Sequence, residues 1–232
     1  MPIIPPSRVS RRAAAAMGLM LLGTGVFLLL RFPALPDLLP VHFNRVGVTD
    51  GWQFRTVPRV LMPLFVQLAL ALSLGSIAVL LLSRAGEIAD PDVPDVRAAS
   101  AAADTVLLIA LIWVSFQAYA AVALVRLWMA GRAGLGPVYT ALEVLGFALT
   151  VAVAVRGYTR IGRPLPRPYV PEHWRFSQLY KNPDDPALFV PTRDGTRWTL
   201  NFGRPVAAAL LGVVLTLGVA GPTVILLMAL RF

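Results

Sequence analysis

The sequence predicts an all-α integral membrane bundle of about five transmembrane helices, with a small cytoplasmic β-hairpin module before the last helix. Three observations carry this prediction. Hydrophobic residues make up 57% of the 232 positions and charged residues 14%, a balance too apolar for a surface facing only water. Five apolar stretches come close to or exceed the roughly 20 residues needed to cross a hydrocarbon core, and each is bracketed by charges. One polar connection, from Arg156 to Arg204, is too long for a plain loop and carries a strand pattern of its own.

Taken in order, the first span is Ala13 to Leu30, between Arg12 and Arg31. It is read as an uncleaved anchor, because its apolar core outruns a signal-peptide h-region and no Ala-x-Ala site follows. Val60 to Ser83 and Thr105 to Val125 form spans two and three and contain no charge. Ala133 to Val155 is the fourth, interrupted by Glu143. Pro205 to Leu230 is the fifth, with a kink expected at Pro222. Gly212, Thr216 and Ala220 recur every four residues in this last span and predict a close helix contact.

Basic residues set the orientation. With the N-terminus in the cytoplasm, fourteen Lys and Arg residues lie inside and seven outside, so the C-terminus is expected outside. The formal charge of +9 is therefore read as a topology signal with some attraction to anionic headgroups, and nucleic acid is not an expected partner. The resulting segments are 1–83, two spans with an external loop; 84–155, an acidic inner linker and spans three and four; 156–204, the cytoplasmic basic module; and 205–232, the fifth span.

The external loop from Arg31 to Arg59 is barred from regular helix by Pro33, Pro36 and Pro40, and Asp50-Gly51 predicts a tight turn. The inner loop Arg84 to Asp104 contains Asp90, Asp92 and Asp95, but its prolines do not fit a calcium loop, so a solvated linker is expected. In the 156–204 segment, Ala187 to Arg193 and Thr196 to Phe202 are rich in β-formers and flank Asp194-Gly195, the signal of a two-residue hairpin turn. The aromatic residues Trp174, Phe176 and Tyr180 precede it, suited either to headgroup level or to packing on the hairpin.

Candidate functional residues are few. Glu143 is an ionisable group inside a span, which is costly and marks a site. Gln67 and Gln117 lie at similar depth, roughly 10 to 16 Å below the outer surface at 1.5 Å per residue. One polar layer is expected, serving either as interhelical hydrogen bonding or as a ligand or proton site. His42, Asn44 and Asp50 share the external loop, where they fasten turns or bind a ligand. Cysteine is absent, which removes disulfides and thiol chemistry. His42 and His173 fall on opposite sides of the predicted membrane, and no catalytic triad, zinc motif or phosphate loop is found. No catalytic residue, metal or cofactor is assigned.

The residues LPDLLPVHFNRVGVTDGW, Leu35 to Trp52, resemble the LPxxxPxHFNxxGxxD signature of SdpI-like bacterial membrane proteins through Leu35, Pro36, Pro40, His42, Phe43, Asn44, Gly47 and Asp50. The resemblance covers about the first 80 residues. It implies a bacterial cell-membrane protein that gives protection against a secreted toxin peptide, some members informing a cytoplasmic repressor. The basic Gly-Arg-Thr motif of those immunity proteins has no counterpart here. In its place, Trp174 to Pro205 resembles an uncharacterised bacterial module through Tyr180, Asn182, Pro183, Asp185, Pro186, Val190, Pro191, Asn201 and Phe202.

Together these readings lead to a non-enzymatic membrane protein that senses, or protects against, an extracellular peptide or lipid-like ligand. His42, Asn44, Asp50, Gln67, Gln117 and Glu143 are its candidate binding residues, and Tyr180, Asn182, Asp185, Asn201 and Phe202 are the candidate residues of a cytoplasmic output module. Expected partners are the bilayer, an extracellular peptide ligand and a cytoplasmic or membrane protein. The competing expectation is a small transporter or membrane enzyme that uses Glu143 as its proton-coupled or acid-base residue.

Overall fold

A computed structural model describes residues 3–44, 49–83, 93–130 and 135–216. Among these residues four helices are long and apolar enough to cross a membrane: α1 (Arg8–Arg31), α3 (Met62–Leu82), α4 (Pro94–Ala130) and α5 (Pro137–Ile161), with a one-turn α2 (Val57–Val60) leading into α3. The fifth expected span begins as α6 (Pro205–Leu215). Its remainder, including Ala220 and Pro222, lies outside the described residues, as do Gly47, Asp90 and Asp92.

Burial on α1 falls at Ser10, Ala13, Met17, Thr24 and Leu28, steps of three, four and seven residues that draw one stripe along a 3.6-residue helix. The opposite side exposes Leu19, Leu22, Leu29 and Leu30. Apolar side chains on both faces, with only one packed, are what a lipid-facing helix requires. The same holds for α5, which leaves Val144, Phe147, Val151 and Val155 exposed.

α4 is the most buried of the four, and alanines occupy much of its covered surface: Ala98, Ala99, Ala103, Ala110, Ala120, Ala121 and Ala123. Small side chains let neighbouring backbones come close. At 37 residues the helix is about 55 Å long, well beyond a hydrocarbon core of about 30 Å. The segment expected as a solvated linker up to Asp104 is therefore helical from Pro94 onward, and Asp95 is buried within its first turn. A proline at the start and the run RAASAAAD supply ordinary helix signals. Charge at Asp104 limits the apolar stretch but does not stop the helix.

The chain divides into two compact units. One comprises residues 10–74 and 107–154 and holds a core of Leu28, Leu35, Leu39, Val60, Ala121, Val125, Leu127 and Trp128. Between α4 and α5 in this unit, Trp113 meets Phe147 edge-on at 4.8 Å and donates its indole N–H to Thr150 Oγ1 at 3.1 Å. The other unit comprises residues 1–9, 75–106 and 155–232. There Ile4 N–H donates to Leu82 O at 2.8 Å, and Gly157 lets α5 approach α4, since a Cβ would overlap the Thr105 side chain.

Three two-stranded antiparallel sheets complete the fold of the described residues. β1 (Leu38–Phe43) pairs with β2 (Thr49–Phe54) in the first unit. In the second, β3 (Trp174–Arg175) pairs with β4 (Leu179–Tyr180), and β5 (Phe189–Pro191) with β6 (Trp198–Leu200). Two features differ from expectation. Asp50-Gly51 is not a turn but part of β2, with Gly51 opposite His42, where a Cβ would sit 2.7 Å from the His42 Cβ. The glycine serves close approach rather than reversal. The β5–β6 hairpin exists, but its loop runs from Thr192 to Arg197 instead of two residues, because Asp194 gathers Thr192 and Thr196 into a wider turn.

Candidate functional site

The β1–β2 hairpin is fastened to its unit from below. Leu35 and Leu39 are buried, and Trp128 of α4 donates its indole N–H to Pro40 O at 3.2 Å. Pro40 has no N–H to contribute to a ladder, and the register shifts between Pro40 and His42, a bulge of the kind proline tolerates in a strand. The connection from α1 is held by Arg55, whose guanidinium donates to the carbonyls of Phe32, Pro33 and Leu35 and pairs with Asp37 at 3.0 Å. Its planar fork can serve several acceptors at once.

What this anchoring presents is a polar pair. His42 Nδ1 lies 2.5 Å from Asp50 Oδ1 across the hairpin, with side chains 65% and 44% exposed. Asn44 follows β1 and is exposed as well. Around them Leu38, Val41, Trp52 and Phe54 are exposed apolar side chains, Phe54 by 72%. Clustered aromatic and aliphatic exposure beside an oriented polar pair is the composition of a recognition surface or a headgroup-level belt.

The three intramembrane candidates do not converge by hydrogen bonding. Gln67 is fully buried and donates its amide to Val114 O of α4 at 2.9 Å. No hydrogen bond joins it to Gln117 or Glu143, both half-buried. Gln67 is thus an interhelical clamp between α3 and α4, and its Oε1 has no partner among the described residues. Glu143 lies one helical turn from Tyr139, whose ring packs against Phe116 at 5.0 Å. His42 belongs to one unit and His173 to the other, and among the described residues no three His, Asp or Glu side chains form a metal-holding group.

In the second unit the candidate residues form one connected knot. Asn201 is completely buried. Its amide donates to Asn182 O, Asp185 O and Ala187 O at 2.8, 3.2 and 3.3 Å. Its Oδ1 accepts from Asn182 N–H and Gly203 N–H at 3.0 and 2.9 Å. A single side chain therefore satisfies the backbone of a tight irregular segment that no strand could pair. Asn182 Oδ1 accepts from Asp184 N–H at 3.0 Å, and Asp185 Oδ1 from Ala187 N–H at 2.9 Å, two side-chain turns in succession.

The remaining Asp185 oxygen accepts from the Tyr180 hydroxyl at 3.1 Å and pairs with Arg167 at 3.0 Å. Burial raises the Tyr180 phenol above its ordinary pKa, opposed by the Asn182 hydrogen bond and assisted by the Asp185 charge. Phe202 N–H donates to Tyr180 O at 2.8 Å. Gly203 passes so near the Asn182–Pro183 backbone that a Cβ would collide with it. Asp194, fully exposed, is held down to about 2 by hydrogen bonds from the Thr192 hydroxyl, then the Thr196 hydroxyl and N–H.

An aromatic cleft flanks the knot, lined by Tyr169, His173, Trp174 and Tyr180 with Arg167 and Arg193; Trp174 and Tyr180 meet edge-on at 5.3 Å, and the Arg193 guanidinium stacks 4.6 Å from the Tyr169 ring. Sequence reasoning missed this cleft, because Tyr169 and Arg193 carry no motif of their own. The β3–β4 turn is unusual: Phe176 and Ser177 both have positive φ, 51° and 60°, and Phe176 is 90% exposed at the tip.

Four apolar helices of spanning length, joined to a folded polar module, define a helical protein of membrane-associated type. Residues 183–207 match the model of a family of unknown function, DUF5808, and the matched stretch contains Asp185, Asn201 and Gly203 of the knot. No curated protein and no solved structure matches the chain.

Proposed function

We propose that this is a non-enzymatic, multi-pass protein of the bacterial cell membrane, SdpI-like in its N-terminal part, whose β1–β2 hairpin recognises an extracellular peptide or lipid-like ligand. The reading rests on one observation. The signature residue Leu35, just before the hairpin, and Leu39 within β1 are buried anchors, whereas the signature residues His42 and Asp50 are paired and exposed on the strands that carry Trp52 and Phe54. The basic-residue distribution supports an N-terminus in the cytoplasm, a hairpin outside, the 156–204 module inside and a C-terminus outside. The module then supplies the surface for a cytoplasmic or membrane partner.

The rival, a transporter or membrane enzyme built on Glu143, draws less support, because the hydrogen bond of Gln67 goes to a backbone carbonyl and not toward that carboxylate. Protection of producing cells against a membrane-active peptide, compared between the wild type and a His42→Ala, Asp50→Ala variant at equal membrane abundance, tests the reading. Loss of protection or of ligand capture in the variant supports it. Unchanged protection in the variant, together with loss in Glu143→Gln, hands the function to the rival.

A further inference from the structure

In the second unit, Arg8, Arg97 and Arg160 line a single open cleft of about 440 Å³ together with Ser7, Ser100, Asp104 and the apolar Ile4, Val9 and Val96. Three helix ends build it. Arg8 opens α1, Arg160 lies in the last turn of α5, and Arg97, Ser100 and Asp104 share one face of α4 at spacings of three and four residues. The face belongs to the part of α4 that continues beyond its uncharged stretch.

The charge of the cleft is unbalanced. Among the described residues Asp104 is its one carboxylate, and it accepts a hydrogen bond from Ser7 Oγ at 2.5 Å. No ion pair joins Arg8, Arg97 or Arg160 to a carboxylate among the described residues, although Arg55 and Arg167 each have an acidic partner. Among the described lining residues, three guanidiniums against one carboxylate leave a surplus of two positive charges. Guanidinium forks match the oxygens of a phosphate group, the Ser100 hydroxyl adds a donor, and the apolar residues offer contact to the glycerol and first acyl carbons of a lipid.

We infer that this cleft is a binding site for the headgroup phosphate of an anionic phospholipid in the cytoplasmic leaflet. Basic pockets at the cytoplasmic ends of membrane helices recognise such headgroups, and the surface charge of that leaflet favours each added arginine by about fivefold. A soluble phosphate would gain the guanidiniums alone and leave Ile4, Val9 and Val96 unused. The proposal rests on the membrane reading of the helices and on the proposed orientation with the N-terminus in the cytoplasm; it shares no residue with the β1–β2 hairpin, so loss of recognition at the hairpin leaves it standing.

The test is native mass spectrometry of the full chain released from neutral detergent, titrated with phosphatidylglycerol and, separately, phosphatidylcholine of identical chains. The wild type is expected to hold one phosphatidylglycerol at least tenfold more tightly than phosphatidylcholine, and Arg8→Gln, Arg97→Gln, Arg160→Gln together should erase the preference. Retention of most of it in Arg8→Lys, Arg97→Lys, Arg160→Lys shows that a folded, charged cleft suffices. A control variant, Arg163→Gln, Arg175→Gln, Arg197→Gln, removes the same charge elsewhere in the basic segment and should keep the preference. Equal loss in that control, no lipid preference in the wild type, or displacement of the lipid by millimolar inorganic phosphate would each overturn the assignment.

Discussion

The β1–β2 hairpin and the knot around Asn201 both carry polar residues at motif spacings, yet they use them in opposite ways. In the knot, Asn182, Asp185 and Asn201 direct their side chains into the backbone of their own segment. In the hairpin, the anchors are apolar or aromatic, and His42 and Asp50 meet each other at the surface. The difference separates two reasons for a sequence signature. A side chain whose hydrogen-bonding capacity is already filled by the fold specifies shape, whereas an oriented pair left at the surface remains available to a ligand.

This contrast breaks most visibly at Asn201. Replacement by alanine strands two N–H groups and three carbonyls, each worth about 1–3 kcal/mol when left unsatisfied in a buried place. Because these groups share one site their losses do not simply add, and a local destabilisation of about 3–5 kcal/mol is expected. Hydrogen exchange across 180–204 should accelerate in Asn201→Ala while α1 and α4 keep their protection. Unchanged exchange would show that the knot is not what holds the module.

Arg55→Ala comes next. It removes the donors to Phe32, Pro33 and Leu35, carbonyls that water can partly reach, so a loss of about 1–2 kcal/mol is expected. Proteolysis should then find new cleavage points between Asp37 and Arg59, and an uncut hairpin would shift the anchoring to Leu39 and Trp128. His42→Ala should change thermal stability by less than about 0.5 kcal/mol, as exposed pairs contribute little. A large loss of stability there would place His42 with Asn201 as a residue of shape, removing the distinction on which the proposed function rests.

The smallest effect concerns pH. The Asp194 carboxylate is depressed in the folded state, so its contribution is present above the ordinary aspartate range near 4 and is lost as pH falls through about 2. An NMR titration of the Thr196 amide should therefore report a midpoint near 2, with no change between pH 5 and 8. A midpoint near 4 would mean that the Thr192–Asp194–Thr196 turn does not persist in solution.

Much of this fold was legible because its determinants are local. Twenty apolar residues between arginines mark a span whatever surrounds them, and the β-formers on either side of Asp194-Gly195 marked the last hairpin. The remainder depends on tertiary contacts. Gly51 has the sequence appearance of a turn residue, and only the approach of His42 across a strand pair explains it. The start of α4 is obscured in the sequence because membrane criteria detect hydrocarbon and not helix, so they predict linker at Arg97 and Asp104, where the structure has helix. The partner of Gln67 is a backbone carbonyl 47 positions away, and backbone groups have no sequence signature. Tyr180, Asn182, Asp185, Asn201 and Phe202 were recognisable as a set, but their service to the fold became evident only with the hydrogen bonds drawn.

The proposed function requires the hairpin and the knot-bearing module to face opposite compartments. The chain contains no cysteine, so single cysteines can be placed at exposed Gln53 in β2 and exposed Gln178 in the β3–β4 turn and treated with a membrane-impermeant maleimide in intact cells. Labelling of position 53 from outside, and of position 178 only after permeabilisation, is the predicted result. Labelling of both from the same side would contradict the account, since recognition and output would then share one compartment.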